Sequence, residues 1–243
     1  VGEHARSVRE ALKLRRHIHL EPRVQGLQPA AASRRFPSYL APAMTQLPEL
    51  PLTLSRQEIR KMIRQRRRAL TPEQQQEMGQ QAATRMMTYP PVVMAHTVAV
   101  FLSFDGELDT QPLIEQLWRA GKRVYLPVLH PFSAGNLLFL NYHPQSELVM
   151  NKLKIHEPKL DVRDVLPLSR LDVLITPLVA FDEYGQRLGM GGGFYDRTLQ
   201  NWQHYKMQPV GYAHDCQLVE KLPVEEWDIP LPAVVTPSKV WEW

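Results

Sequence analysis

A single cysteine, Cys216, stands among 243 residues, which excludes an intramolecular disulfide and any multi-cysteine zinc or iron–sulfur site. That economy fits a reducing compartment, so a cytoplasmic location is expected. No apolar run approaches the roughly 18 residues a membrane helix needs, and no membrane association is expected. The nine histidines show neither H-x-x-H nor H-E-x-x-H spacing, which argues against a histidine metal site. No serine sits in a G-x-S-x-G elbow. G-x-x-x-x-G-K followed by Ser or Thr is absent too, and a dinucleotide fingerprint fails at Phe194, where its last glycine belongs.

Acidic excess is also missing, but the net charge of +4 does not describe the whole chain. Residues 1–43 hold seven Arg and one Lys against three Glu, a net +5, so the remaining 200 residues carry −1. A folded nucleic-acid module places its basic charge on the fold itself, and no nucleic-acid partner is expected. The leader is proline-spaced, with no sustained apolar period and no secretory signal. It is expected to be disordered and without a catalytic role, with Met44 as the working start; an Arg-rich mitochondrial transit segment is the alternative.

Hydrophobic residues make up 44% of the chain and charged residues 22%, enough for one sizeable core. Residues 44–243 contain no internal repeat and no low-complexity linker, and one domain is expected there. Ser55 and Glu58 form a capping box ahead of Ile59, Met62, Ile63 and Leu70, which share a helical face. Thr71 and Pro72 open a second helix running to about Met87. Residues 97–104 read as a strand buried on both faces. Leu113, Ile114, Leu117 and Trp118 mark a third helix, ended by Gly121. Further strands are expected over 123–126, 137–142, 171–176, 210–213 and 233–236. The alternation predicts an α/β fold: a three-layer α/β/α sandwich with a mostly parallel sheet, Rossmann-like but without the dinucleotide fingerprint.

Three segments carry chemistry. The first is Arg187, Leu188, Gly189, Met190, Gly191, Gly192, Gly193, Phe194, Tyr195 and Asp196, between a buried strand and a helix expected to reach about His204. Glycine-rich backbone there can turn several N–H groups toward one anion, at the strand end where open sheets bind ligands. Arg187 offers a fork of donors to phosphate, and Asp196 lies within reach of a Mg²⁺ carried on phosphates. The second is the basic helix from Arg56 to Arg68. Most of its arginines are expected on a solvated face, while Arg56 and Arg60, one turn apart, can clamp an anion. The third is the turn holding Glu107, Asp109 and Thr110. Asp109 and Thr110 read as helix caps, which leaves Glu107 for a ligand. Cys216 reads as a buried small residue.

In this order the segments resemble the 5-formyltetrahydrofolate cyclo-ligase family, also called 5,10-methenyltetrahydrofolate synthetase, over roughly residues 54–237. A late Leu222, Pro223, Glu225 and Asp228 completes the pattern. The resemblance implies closure of 5-formyltetrahydrofolate to 5,10-methenyltetrahydrofolate with ATP and Mg²⁺, through a phosphorylated formyl group. It assigns ATP to Arg56, Arg60, Arg187, Leu188, Gly189, Gly191, Gly192, Gly193, Phe194 and Tyr195. Folate falls to Arg60, Leu102, Glu107, Met190 and Phe194, Mg²⁺ to Asp196 and Asp228, and charge stabilisation to Arg60 and Arg187. A monomer is expected. Two departures stand out: the family often has Lys at the position of Arg56, and basic residues where this chain has Met190 and Gly192.

The rival readings are a non-catalytic nucleotide or folate binder, an ATP-dependent ligase on another small acid, and an RNA-binding protein using the leader and basic helix. Deleting residues 1–43 separates the last from the rest. Cyclo-ligase turnover is expected to be unchanged by that truncation, and a large loss in a steady-state assay would contradict the reading of the leader.

Overall fold

In a computed structural model, which describes residues 54–243, the chain begins with the two helices its capping residues predict. The expectations for residues 1–43 and for a start at Met44 lie outside the described residues. Helix α1 spans Arg56–Arg68, with the Ser55 hydroxyl taking the Glu58 N–H and the Glu58 side chain taking the Ser55 N–H. Helix α2 spans Pro72–Thr88 behind the equivalent Thr71–Gln74 box, and α3 follows at Pro90–Met94.

Strand β1 covers only Thr97–Ala99, shorter than the apolar run suggests. The cause lies in the hydrogen bonds just beyond it. Val100 still donates to the Tyr125 carbonyl at 2.8 Å, but Ser103 N–H then turns to the Thr110 hydroxyl and Phe104 N–H to the Glu107 carboxylate. Asp105 and Gly106 complete this turn at φ of +53° and +73°. Thr110 therefore ties off the strand end rather than capping the next helix by its side chain. Asp109 is the cap, taking the Gln111 N–H at 3.0 Å.

After α4 (Gln111–Arg119) come β2 (Arg123–Leu129), β3 (Leu137–Tyr142), the hairpin β4 (Leu148–Met150) and β5 (His156–Pro158), then β6 (Val165–Leu166) and β7 (Val173–Thr176). Short β8 (Ala180–Asp182) and β9 (Arg187–Leu188) precede α5 (Phe194–Leu199) and β10 (Gln208–Tyr212). The chain closes with β11 (Leu218–Val219), β12 (Ala233–Val235) and β13 (Val240–Glu242). Helix α5 stops before His204 because Asn201, at φ −128° and ψ 29°, leaves the helical region; a separate 3₁₀ turn holds Trp202–His204.

The main sheet has the order β13-β12-β10-β7-β1-β2-β3-β6. Strands β12, β10, β7, β1 and β2 are mutually parallel, while β13 and β3 run antiparallel to their neighbours. Its two faces follow the alternation along β1. Val98 and Val100 pack with Ala82, Met86, Leu113 and Leu117 of α2 and α4. Ala99 packs on the other side with Leu174, Phe181 and Leu199. That second layer is built from the six-residue α5 and the three-stranded sheet β11-β8-β9 rather than from long helices. Helix α1 lies against this small sheet, burying Ile59 and Ile63 with Val179, Ala180 and Leu188. No helix among the described residues is long and apolar enough to cross a membrane.

Asp172, just ahead of β7, fixes how β1 starts beside its neighbour. Its carboxylate accepts from His96 N–H, Thr97 N–H and the Thr97 hydroxyl, and pairs with Lys206 at 2.9 Å. Burial alone would raise its pKa, but these donors outweigh that and hold it at about 2. Because the folded pKa is depressed, its contribution is present above the ordinary carboxylate range and is lost as pH falls through about 2. Asp172→Ala is expected to cost about 2–3 kcal/mol of stability at neutral pH, read by denaturant unfolding.

Candidate functional site

Because β1, β2 and β7 are parallel, the segments leaving their carboxyl ends converge, and they surround a cavity of about 430 Å³. Leu102 and Glu107, following β1, form one wall. Gly189, Met190, Gly192 and Gly193 form the facing loop, and Phe194, Tyr195 and Asp196 from α5 join it with Arg187. Ten of the residues singled out from the sequence thus meet around one space. Gly191 and Gly193 need glycine for a conformational reason, with φ of +106° and +66°. No backbone carbonyl among the described residues accepts from the N–H groups of residues 190–193, which leaves them available to a ligand.

Five assigned residues do not line this cavity. Leu188 is buried in the core beneath α1, so only its backbone belongs to the loop. Gly191 sits on the outer side, where a Cβ would approach the Arg60 guanidinium at 3.8 Å. Arg60 braces the loop from behind, its Nε donating to the Gly189 carbonyl at 2.8 Å. Burial and the neighbouring Arg56 lower the Arg60 pKa. Arg56 forms a two-pronged bond with Asp228, with Nη2 at 2.8 Å from Oδ1. The Asp228 carboxylate also takes the Glu225 N–H at 2.8 Å. Burial pushes its pKa up, yet Arg56, the Glu225 N–H and Arg187 together outweigh that, leaving it low.

Arg56 and Arg60 therefore do not converge on one point; each has its own protein acceptor. The rest of the basic helix is a solvated face in part, with Lys61 and Arg68 exposed and Arg64 and Arg66 half-buried. Arg64, Arg67 and Arg68 all turn to Asp105, and Arg67 is fully buried. Cys216 is partly rather than fully buried, and burial raises its thiol pKa.

Inside the cavity the charges are paired. Arg187 is buried and bonded to Asp196. Glu107 is only 7% exposed and keeps one bond, from Phe104 N–H at 3.2 Å. Burial raises its pKa to about 7, against the pull of Arg67. Burial also lifts the Tyr195 phenol well above its ordinary range, so it stays a neutral donor. Among the described residues no group of three or more His, Cys, Asp or Glu side chains could hold a metal by itself. Asp196 alone, with phosphates and water completing the shell, suits Mg²⁺, which typically takes one or two carboxylates beside phosphate oxygens.

The β4–β5 hairpin was not foreseen. Asn151, Leu153, Ile155 and His156 line the outer wall, and the Glu157 carboxylate holds it by accepting from Leu129 N–H and Asn151 Nδ2. Its strands have three residues each, too few for a periodic signal. Arg197 was missed too. It reaches the Gly135 carbonyl at 2.7 Å and the Gly192 carbonyl, tying the β2–β3 connection to the glycine loop.

Residues 53–237 match the model of the 5-formyltetrahydrofolate cyclo-ligase family. The chain is 99% identical over 182 residues to a 5-formyltetrahydrofolate cyclo-ligase of Escherichia coli (strain K12), covering 75% of this chain and 100% of that protein. It is 53% identical over 179 residues to the cyclo-ligase of Haemophilus influenzae, covering 74% and 96% respectively. Among solved structures it is similar to a 5,10-methenyltetrahydrofolate synthetase of Aquifex aeolicus. That match has a TM-score of 0.67 at 28% identity, over 78% of this chain and 93% of the other.

Proposed function

The chain belongs to the 5-formyltetrahydrofolate cyclo-ligase family, and from that premise we propose that it closes 5-formyltetrahydrofolate to 5,10-methenyltetrahydrofolate with MgATP, through a phosphorylated formyl group. The observation that carries the reading is a shared cavity, where a buried carboxylate faces a glycine loop flanked by Arg187 and Asp196. One wall suits a ring rich in N–H donors, the other a chain of phosphates.

A formamide carbon is a weak electrophile, and its oxygen is a poor leaving group. Attack of the formyl oxygen on the γ-phosphorus displaces ADP and leaves an iminium-like phosphate. N10 then bonds to that carbon and gives up its proton, while the C–O bond breaks and inorganic phosphate departs. The protein's work is alignment and charge compensation. Glu107, as the carboxylate, accepts from the pterin amino and ring N–H groups, and Leu102, Met190 and Phe194 supply apolar contact to the folate. Arg187 and the N–H groups of residues 189–193 receive the phosphates, with Leu188 contributing backbone and Tyr195 a neutral hydroxyl. Arg60 acts on the loop it braces, and Arg56 at the outer end of the phosphate path. Asp196, and Asp228 once released by Arg56, would hold Mg²⁺, which supplies charge neutralisation on the phosphates.

The catalytic domain is assigned to residues 44–243, acting as a cytoplasmic monomer without nucleic-acid or membrane partners.

The route is tested with 5-formyltetrahydrofolate carrying oxygen-18 in the formyl group. Label is expected in inorganic phosphate; label in water would exclude a phosphorylated formyl group. Asp196→Ala is expected to lose most turnover, on the order of 10²-fold, and to raise the Mg²⁺ requirement. Arg187→Ala is expected to raise the KM for ATP more than that for folate, and Glu107→Ala the reverse. Equal effects on both substrates would remove either residue from its assigned side.

A further inference from the structure

Among the arginines of the basic helix that this chemistry does not use, one is set apart by its burial. Arg67 is fully buried, and a buried guanidinium is tolerated only where acceptors answer it. Its Nη2 donates to the Asp105 carbonyl at 3.1 Å and lies 3.7 Å from the Asp105 carboxylate. Its Nη1 lies 3.9 Å from Glu107 Oε1. Neither Nη1 nor Nε has a hydrogen-bond partner among the described residues. The turn over 104–107 rests directly on this side chain. A Cβ at Gly106 would meet Arg67 at 3.4 Å, and Gln75 Nε2 bridges the carbonyls of Arg67 and Gly106.

We propose that Arg67 is a positioning residue for folate: from beneath the 104–107 turn, its guanidinium keeps Glu107 ionised and directed into the cavity. The inference rests on the assignment of Glu107 to the folate and goes one layer beneath it. Glu107 has little else to stabilise its charge. Burial raises its pKa to about 7, and Arg67 is the largest influence opposing that rise. Asp105 on the same turn adds to the rise, while Arg64 of α1 opposes it more weakly. His214, from the segment after β10, is neutral here, lowered to about 4 by burial and by Arg67 itself. Tyr195 of α5 is neutral as well, and Arg187 and Asp196 across the cavity answer each other. His156 and Glu157 stand on the hairpin wall.

The sign follows from which form binds. A carboxylate accepts from two pterin donors, whereas the protonated acid presents a donor to a donor. Capture of 5-formyltetrahydrofolate therefore weakens as pH falls through about 7. Without the Arg67 charge the Glu107 pKa rises further, and the weakening begins at higher pH.

The test is kcat/KM for 5-formyltetrahydrofolate against pH, by ADP release, in wild type, Arg67→Met, Arg67→Gln and Arg67→Lys. Each neutral change is repeated in a Glu107→Gln background, and the KM for ATP is followed in parallel. In the neutral variants the acid limb is expected to move up by a unit or more, a loss of at least about fivefold at pH 7. The ATP KM is expected to stay constant. Arg67→Lys retains the charge and is expected to keep the wild-type limb, whether or not the neutral variants fold. In Glu107→Gln the limb is expected to vanish, and Arg67→Met to add no further loss.

An unmoved limb in the neutral variant that folds would overturn the proposal, as would a Lys variant whose limb shifts as far as theirs. Additive losses in the double variant would overturn it equally. Normal folate kinetics in Glu107→Gln alone would instead remove Glu107 from the folate site, and this proposal with it.

Discussion

Helix α1 carries two stripes, and their placement constrains the site. The apolar stripe, Ile59 and Ile63, is buried against the small sheet and fixes the helix there. That anchoring leaves the basic stripe no freedom about what it meets. From one end to the other, Arg56 faces Asp228, Arg60 the Gly189 carbonyl, Arg64 and Arg68 Asp105, and Arg67 Glu107. Buried carboxylates without such partners would protonate or unfold the turns that carry them. With them, the turn after β1 and the loop after β9 can both project charged or polar groups into a space of low polarity.

The same pairing gives the cavity its chemical character. Arg187 with Asp196 in the cavity wall, and Arg56 with Asp228 outside it, are closed ion pairs, each containing one group suited to phosphate and one suited to a divalent cation. On the proposed function, MgATP offers each member of a pair a better partner, so opening the pairs is coupled to binding and costs little net charge. Glu107 lacks so close a partner. Its nearest cation is 3.9 Å away and buried, and with Oε2 taking the Phe104 N–H it is Oε1 that is left for a ligand.

Much of this was legible in the sequence, for local reasons. The Ser55–Glu58 and Thr71–Gln74 boxes set the helix starts because capping is a matter of three residues. The buried strands announced themselves by apolar runs, and the glycine loop by Gly191 and Gly193, which take backbone angles other residues avoid. What stayed hidden depends on contacts distant along the chain. The early end of β1 is decided by Glu107 and Thr110 turning back on residues 103 and 104. Arg67 looks like any other arginine of a charged helix, since only a turn 38 residues away makes it buried. The β4–β5 hairpin, with three-residue strands, gives no period to read, although it supplies the outer wall. The expected Arg56–Arg60 clamp treated a shared helix face as a shared target. Asp228 and Gly189, brought up from different segments of the chain, divide the two.

The central claim is that one cavity runs the ATP-driven ring closure of 5-formyltetrahydrofolate. It is tested most directly by following methenyltetrahydrofolate absorbance with 5-formyltetrahydrofolate, ATP and Mg²⁺ together, beside mixtures lacking each in turn. The account predicts product only in the complete mixture, with one ADP released per ring closed. Product without ATP, or ADP release without ring closure, would contradict it.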